Sequence, residues 1–226
     1  VLSSLATAAA AYVAARWWPV SNVFASTTGT LALETVAQGL DHPWSLAFLP
    51  DGRMLVTERP AALRVVSIDG KLSAPIAGLP EVSAVGQGGL LDVALHPDFA
   101  GTRLIFLSFA EPREGGNATS VMRGRLSGDM TRLDDVKVIF RQQPAHNGGN
   151  HFGSRLAFDR SGALFVTTGD RLDLRPLVQR TDNHIGKVIR ITEDGGIPAD
   201  NPKPAGWLPE IWSIGHRNAL GIAFAP

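Results

Sequence analysis

One cassette recurs along this chain, and it constrains the fold more than any other feature. The pattern aliphatic, any, Phe, any, Pro or Asp, turn, strand, Thr reads LAFLPDGRMLVT over residues 46–57 and LAFDRSGALFVT over residues 156–167. A looser copy, VALHPDFAGTRLIFLS, spans residues 93–108, and a fourth opens as GIAFAP at residues 221–226. The spacing is about that of one four-stranded propeller blade plus its loops. A single blade cannot bury both faces of its sheet, so blades stack around an axis. Propellers close with ~4–8 of them. About three and a half are legible here. An unclosed stack would leave apolar faces and strand edges in water, so the sequence predicts truncation at its C-terminal end. A closed four-bladed ring is the alternative.

The local pattern agrees. Short runs rich in Val, Ile, Phe and Thr occupy residues 44–49, 54–58, 63–68, 104–109, 136–140, 163–168 and 187–192, and these residue types suit a pleated, half-buried surface. Pro50-Asp51-Gly52, Asp69-Gly70, Ser161-Gly162 and Asp194-Gly195-Gly196 separate them with chain-reversal chemistry. No stretch after residue 30 carries a long apolar helical period. The expected class is all-β, a partial β-propeller over residues 26–226.

Composition removes several function classes. The chain has no cysteine, which excludes disulfides, thiolate catalysis and Cys-type zinc or iron–sulfur sites. Lys plus Arg and Asp plus Glu number 21 each, so no basic surplus favours nucleic acid or an anionic membrane as partner. Residues 5–15 (LATAAAAYVAA) are apolar, but a membrane span needs ~20 residues. Their length suits the core of a secretory signal, with Val23-Phe24-Ala25 as small residues near a cleavage point before Ser26. No basic stretch or Met precedes them, and Arg16 follows directly. Residues 1–25 are therefore expected to be a signal peptide or an irregular leader, and the location periplasmic or secreted.

Propeller active sites lie where the inner strands open at one end of the channel, so polar residues just ahead of each cassette are the candidates. Gln87 stands among glycines in GQGGLLD. Its amide offers both a donor and an acceptor, and the glycines let backbone approach a ligand; a plain turn is the bland alternative. His151 follows Asn147-Gly148-Gly149-Asn150 and precedes the strand around Leu156. Imidazole is the ordinary general base near neutral pH, although a lone His is more often a hydrogen-bonded turn residue. Arg217-Asn218, after Gly215-His216, pairs a permanent cation with an amide suited to carboxylates or a quinone oxygen; a salt-bridged blade connection would look the same. His42, His96, His146 and His184 form no recognised metal spacing, and no G-x-S-x-G elbow, P-loop or dinucleotide fingerprint is present. Asp170 and Arg171 could reach the channel, but the sequence assigns them no role.

Five stretches in order from about residue 40 onward, HPWSLAFLPDGRMLVTERP, GQGGLLDVALHPDF, HFGSRLAFDRSGALFVTTGD, HIGKVIRITEDGGIPADNP and WSIGHRNALGIAF, resemble the glucose/sorbosone dehydrogenase family, and within it the soluble aldose sugar dehydrogenases that use pyrroloquinoline quinone (PQQ). The resemblance implies a six-bladed propeller with PQQ over one mouth of the channel. It implies oxidation of an aldose at C1 to the lactone, with electrons leaving to an external acceptor. His151 then looks like the base that takes the C1 hydroxyl proton, and Gln87 and Asn150 like substrate contacts. Arg217 and Asn218 look like cofactor contacts, Arg217 near the quinone carbonyl. Calcium is implied too, with ligands expected beyond Pro226 and none within the sequence shown.

One departure bears on specificity. Glucose enzymes of the family can carry Asp immediately before the base, where this chain has Asn150. An amide cannot ionise, so it would support the basicity of His151 less, which points to the broader aldose branch. Two other readings compete: a calcium-dependent propeller lactonase, which would need inward carboxylates, and a non-catalytic extracellular interaction module.

Overall fold

The computed structural model describes residues 23–202 and 204–225, in two compact units, Val1–Val36 and Ala37–Pro226. In the first unit, β1 (Val23–Ser26) pairs antiparallel with β2 (Gly29–Ala32). Residues 1–22 of the expected leader lie outside the described residues; Val23-Phe24-Ala25, the expected cleavage stretch, belongs to β1.

The second unit holds three sheets. The first is β3 (Pro43–Phe48), β4 (Met54–Glu58) and β5 (Ala62–Val66). The second is β6 (Leu90–Leu95), β7 (Leu104–Arg113), β8 (Gly116–Leu126) and β9 (Leu133–Arg141). The third is β10 (Gly153–Phe158), β11 (Leu164–Thr168), β12 (Lys187–Ile191) and β13 (Ile211–Ile214). Every sheet is an antiparallel meander with neighbours in chain order, which is the blade of a propeller. Helix among the described residues is limited to α1 (Phe99–Thr102) and one 3₁₀ turn at Arg175–Leu177.

The alternation of side chains along β7 explains how blades stack. Successive strand residues face opposite ways. Ile105, Leu107 and Phe109 enter a core with Leu55, Leu63 and Val65 of the first blade. Leu104 and Phe106 enter another with Leu156, Leu164 and Val166 of the third. A strand buried on both faces reads as a continuous apolar run, and this one does. Ile105, Phe106, Leu107 and Phe109 are fully buried, at roughly 1.5–3 kcal/mol each. The outer blades keep Leu46 and Phe48 on one side, and Trp212 and Phe224 on the other, exposed.

A hydroxyl closes each cassette and explains its repetition. The inner strands β3, β6 and β10 each bulge. At the bulge, the amides of Ser45, Asp92 and Arg155 donate to the hydroxyls of Thr57, Ser108 and Thr167 at 2.9–3.1 Å. Those hydroxyls donate onward to the carbonyls of Leu91, Ser154 and Ala219 at 2.5–2.8 Å, each at the head of the next cassette. The cassette's terminal Thr is thus an inter-blade link, with Ser108 in its place in the second blade.

Three blades form, and the opening of a fourth follows them. Residues 219–225 begin in the position of a fourth inner strand, since Ala219 accepts from Thr167, but they form no strand. No second strand lies beside them among the described residues to satisfy their amides.

Candidate active site

The three inner strands run in the same sense, so the loops that lead into them gather at one end. Residues 86–89 precede β6, residues 147–152 precede β10, and residues 215–218 follow β13 at the head of the fourth cassette. Antiparallel pairing returns the end of β11 to the same place, which brings Gly169-Asp170-Arg171 under His151.

The His151 Nδ1 lies 2.6 Å from Asp170 Oδ1. The carboxylate accepts, so Nδ1 carries the hydrogen, and in the neutral ring Nε2 is then the lone-pair acceptor. Asp170 is fixed in turn: its Oδ1 accepts from the Leu172 amide at 2.8 Å, and its own amide donates to the Arg217 carbonyl at 2.7 Å. The Asp170 side chain is 2% exposed and that of His151 12%.

Two amide side chains are oriented by backbone donors. Gln87 Oε1 accepts from the His151 amide at 2.9 Å, and Asn218 Oδ1 accepts from the Gly153 amide at 2.9 Å. Both side-chain oxygens are therefore engaged, and both NH₂ ends remain as donors. Gln87 and Asn218 line one cavity of about 190 Å³ with Trp44, Arg59, Phe152 and Gly153. Arg217 is exposed, and among the described residues its guanidinium has no hydrogen bond or ion pair; its carbonyl is what ties it to Asp170. The Asn150 carbonyl accepts from Arg171 Nε at 3.0 Å, while its half-buried side chain makes no hydrogen bond among the described residues.

Arg171 anchors the loop that carries His151. It is fully buried, with Nη1 and Nη2 on the carbonyl and amide oxygens of Asn117, Nη2 also on the Gly148 carbonyl, and its plane 4.0 Å over the Phe152 ring. Burial, with nearby Arg113, pulls its pKa down to about 10.

The backbone here is strained. His151, Ser154, Arg171 and Leu172 all take positive φ, from 50° to 85°, a region that L-residues hold only when surrounding contacts impose it. The contacts are visible. Gly169 packs so closely that a Cβ there would overlap the His151 carbonyl, and one on Gly86 would overlap the Gly149 carbonyl. The loop glycines therefore serve loop-to-loop approach, which the sequence reading had assigned to approach by a ligand.

Comparison with known proteins decides the lineage. A family model described as Glucose / Sorbosone dehydrogenase matches residues 40–226. The chain belongs to this family. The aldose sugar dehydrogenase of Escherichia coli K12 is 47% identical over 211 residues, covering 92% of this chain and 57% of that protein. Among solved structures, the apo-form of the soluble E. coli aldose sugar dehydrogenase matches at TM-score 0.78 and 49% identity, over 82% of this chain and 54% of that one. The PQQ-bound aldose sugar dehydrogenase of Streptomyces coelicolor matches at TM-score 0.72 and 33% identity, over 82% and 54%. The chain spans about half the length of the relatives it matches.

For this glucose/sorbosone dehydrogenase chain, sequence reasoning brought forward Gln87, His151, Arg217 and Asn218, and the fold gathers their loops. It placed Asp170 and Arg171 within reach of the channel but gave them no role. Asp170 supplies the carboxylate at His151 whose absence at position 150 had suggested weaker support for the base. The signal available was positional: a buried Asp-Arg pair directly after the second strand of the blade that carries the His. The other histidines are occupied. His96 Nε2 meets Glu193 at 2.6 Å, and His184 Nε2 meets Glu210 at 2.7 Å while its Nδ1 accepts from the Gln143 amide. Among the described residues no group of three or more His, Asp or Glu could hold a metal ion, and no helix is long and apolar enough to cross a membrane.

Proposed function

We propose that this chain supplies the base, the substrate-side amide and part of the cofactor contacts of a PQQ-dependent dehydrogenase that oxidises an aldose at C1 to the lactone. One observation carries the reading: His151, its Nδ1 engaged by Asp170, has Nε2 left over as an acceptor on the same loop whose backbone amides orient Gln87 and Asn218.

The donor set fits a quinone bearing carboxylates. Arg217 offers an unpaired guanidinium and Asn218 an amide NH₂, and both favour anionic oxygens. PQQ, when bound, supplies the acceptor for the hydride leaving C1. His151 Nε2 takes the proton of the C1 hydroxyl, so that the carbonyl forms without a cationic intermediate state. Asp170 steadies the imidazolium that results. Gln87 keeps its NH₂ free to donate, because its oxygen is turned to the His151 amide, so it would hold an oxygen of the sugar. Arg217, whose carbonyl accepts from the Asp170 amide, would hold a quinone oxygen and favour negative charge on it. Asn150 adjoins the base and would meet the sugar rim. Calcium and the external acceptor stay part of the proposal without assigned residues. So does export to the periplasm or medium, which rests on the apolar stretch at residues 5–15.

The test uses the full-length protein reconstituted with PQQ and Ca²⁺, followed by dye reduction over a panel of aldoses. Activity should require PQQ, and His151→Gln should lower it by ~10²–10⁴-fold, the usual contribution of a positioned base. Dye reduction without PQQ, or at the unsubstituted rate in the variant, would overturn the assignment.

A further inference from the structure

Arg59 follows the first blade's second strand and lies outside the loops of the proposed site, yet it touches the glycine loop that carries Gln87. Its Nη2 donates to the Gly86 carbonyl at 2.6 Å. Its own carbonyl accepts from the Leu90 amide at 3.0 Å, and Gly89 has no room for a Cβ because Arg59 lies against it. The guanidinium lines the same cavity as Gln87 and Asn218. Its Nε is buried and has no partner among the described residues. A buried donor left unpaired is destabilising, so the side chain sits there in spite of that penalty.

Gly86 is the residue that Arg59 holds, and Gly86 leads into Gln87. The Gln87 amide donates to the Gly149 carbonyl at 2.7 Å, and its side chain accepts from His151. A chain of direct contacts thus runs from blade one, through the glycine loop of blade two, to the base loop of blade three. Its only member with a permanent charge is Arg59. We propose that Arg59 is a positioning residue for the sugar: by holding the Gly86 carbonyl it fixes the peptide before Gln87, and so the direction in which the Gln87 NH₂ is presented. This rests on the reading of Gln87 as a substrate contact.

A contact that holds the bound sugar equally in ground and transition states raises KM when lost and spares kcat. In the full-length protein loaded with PQQ and Ca²⁺, Arg59→Ala should therefore raise the aldose KM by about tenfold, the loss of one good hydrogen bond. The kcat should fall by less than about threefold. Arg59→Lys, which keeps a cation and a single donor, should recover part of the loss, and serves in place of Arg59→Ala where the latter does not fold. The deciding measurement is the cycle with Gln87→Ala. A residue acting through Gln87 has nothing left to position once the amide is gone, so the double variant should match Gln87→Ala alone. If the two effects multiply, Arg59 acts independently of Gln87 and the positioning role is overturned, while the proposed function stands. If Gln87→Ala itself leaves KM unchanged, the substrate role of Gln87 fails and the Arg59 role falls with it.

Discussion

Replacing Asp170 by Asn tests the proposed chemistry with almost no change in shape. The side chain is 2% exposed and makes two contacts through one oxygen, to His151 Nδ1 at 2.6 Å and to the Leu172 amide at 2.8 Å. An amide oxygen can accept both, so the loss is one of charge. When His151 takes a proton, a carboxylate would hold the imidazolium by a charge-assisted bond of ~1.5–3 kcal/mol, against ~0.5–1.5 kcal/mol for a neutral acceptor. The difference of roughly 1–2 kcal/mol corresponds to about 5–30-fold in kcat. A larger loss would follow if the amide turned its NH₂ toward Nδ1. The ring would then carry its hydrogen on Nε2 and lose the base, an inversion that costs catalytic triads ~10⁴-fold. The Leu172 amide opposes that turn, because it needs the oxygen on its own side. The smaller figure is the expectation. The assay is kcat at saturating aldose and neutral pH for the PQQ-loaded full-length protein, with a thermal melt to confirm folding. A variant that melts normally and keeps kcat within about twofold would refute the role of Asp170, since the smaller difference of ~1 kcal/mol already predicts about fivefold.

Two further outcomes follow from the same contacts. Gly169→Ala should lower turnover by about a hundredfold, because the new Cβ overlaps the His151 carbonyl and small displacements of a reacting group cost that much; normal turnover would show that the His151 loop is not held from below. Lys187 is fully buried, with its ammonium on the carbonyls of Leu177, Val178 and Ile185, and burial lowers its pKa from 10.5 to about 8. Between those values the unfolded chain binds more protons than the folded one, so this residue makes stability rise from about pH 8 toward pH 10.5, with no contribution to the slope below that window. Urea midpoints across that range should rise less steeply in Lys187→Met, and equal slopes would contradict the buried-ammonium account.

The blades were legible because their inner pair carries the cassette, and the cassette carries its own chemistry. Met54–Glu58 is a strand both by sequence and in the structure, and the Thr that closes each such run turned out to be the inter-blade link. Strand β8 was missed. Its sequence, GNATSVMRGRL, has Gly and short polar residues where alternation would be read, and Asn117, Thr119 and Ser120 are nonetheless buried. They are sheltered because β7 and β9 pair with both edges of β8 and because their side chains are bonded: Thr119 to the Phe152 carbonyl, Ser120 to Glu111, and Asn117 to Arg171. Tertiary context decides such a strand, and no window of sequence contains it. The role of Asp170 was illegible for the same reason. Its partner is 19 residues away in the chain, and only the antiparallel return of β11 places one beneath the other.

The polarity of the pocket follows from how the blades are joined. Each amide at the site is shared between two blades: Gln87 enters blade two and bonds the His151 backbone ahead of blade three, and Asn218, beyond blade three, bonds the Gly153 amide within it. A backbone N–H has only a hydrogen to give, so in both cases the side-chain oxygen is turned to the backbone and the NH₂ end is left as the free donor. A carboxylate at either position would keep the inter-blade bond and remove the donor. The chemistry left facing the cavity is therefore not a free choice of residue at each loop. It is the residue of the bonds that hold the propeller together, and it leaves the NH₂ donors of Gln87 and Asn218 for an oxygen-rich ligand, next to the backbone of the loop that carries His151.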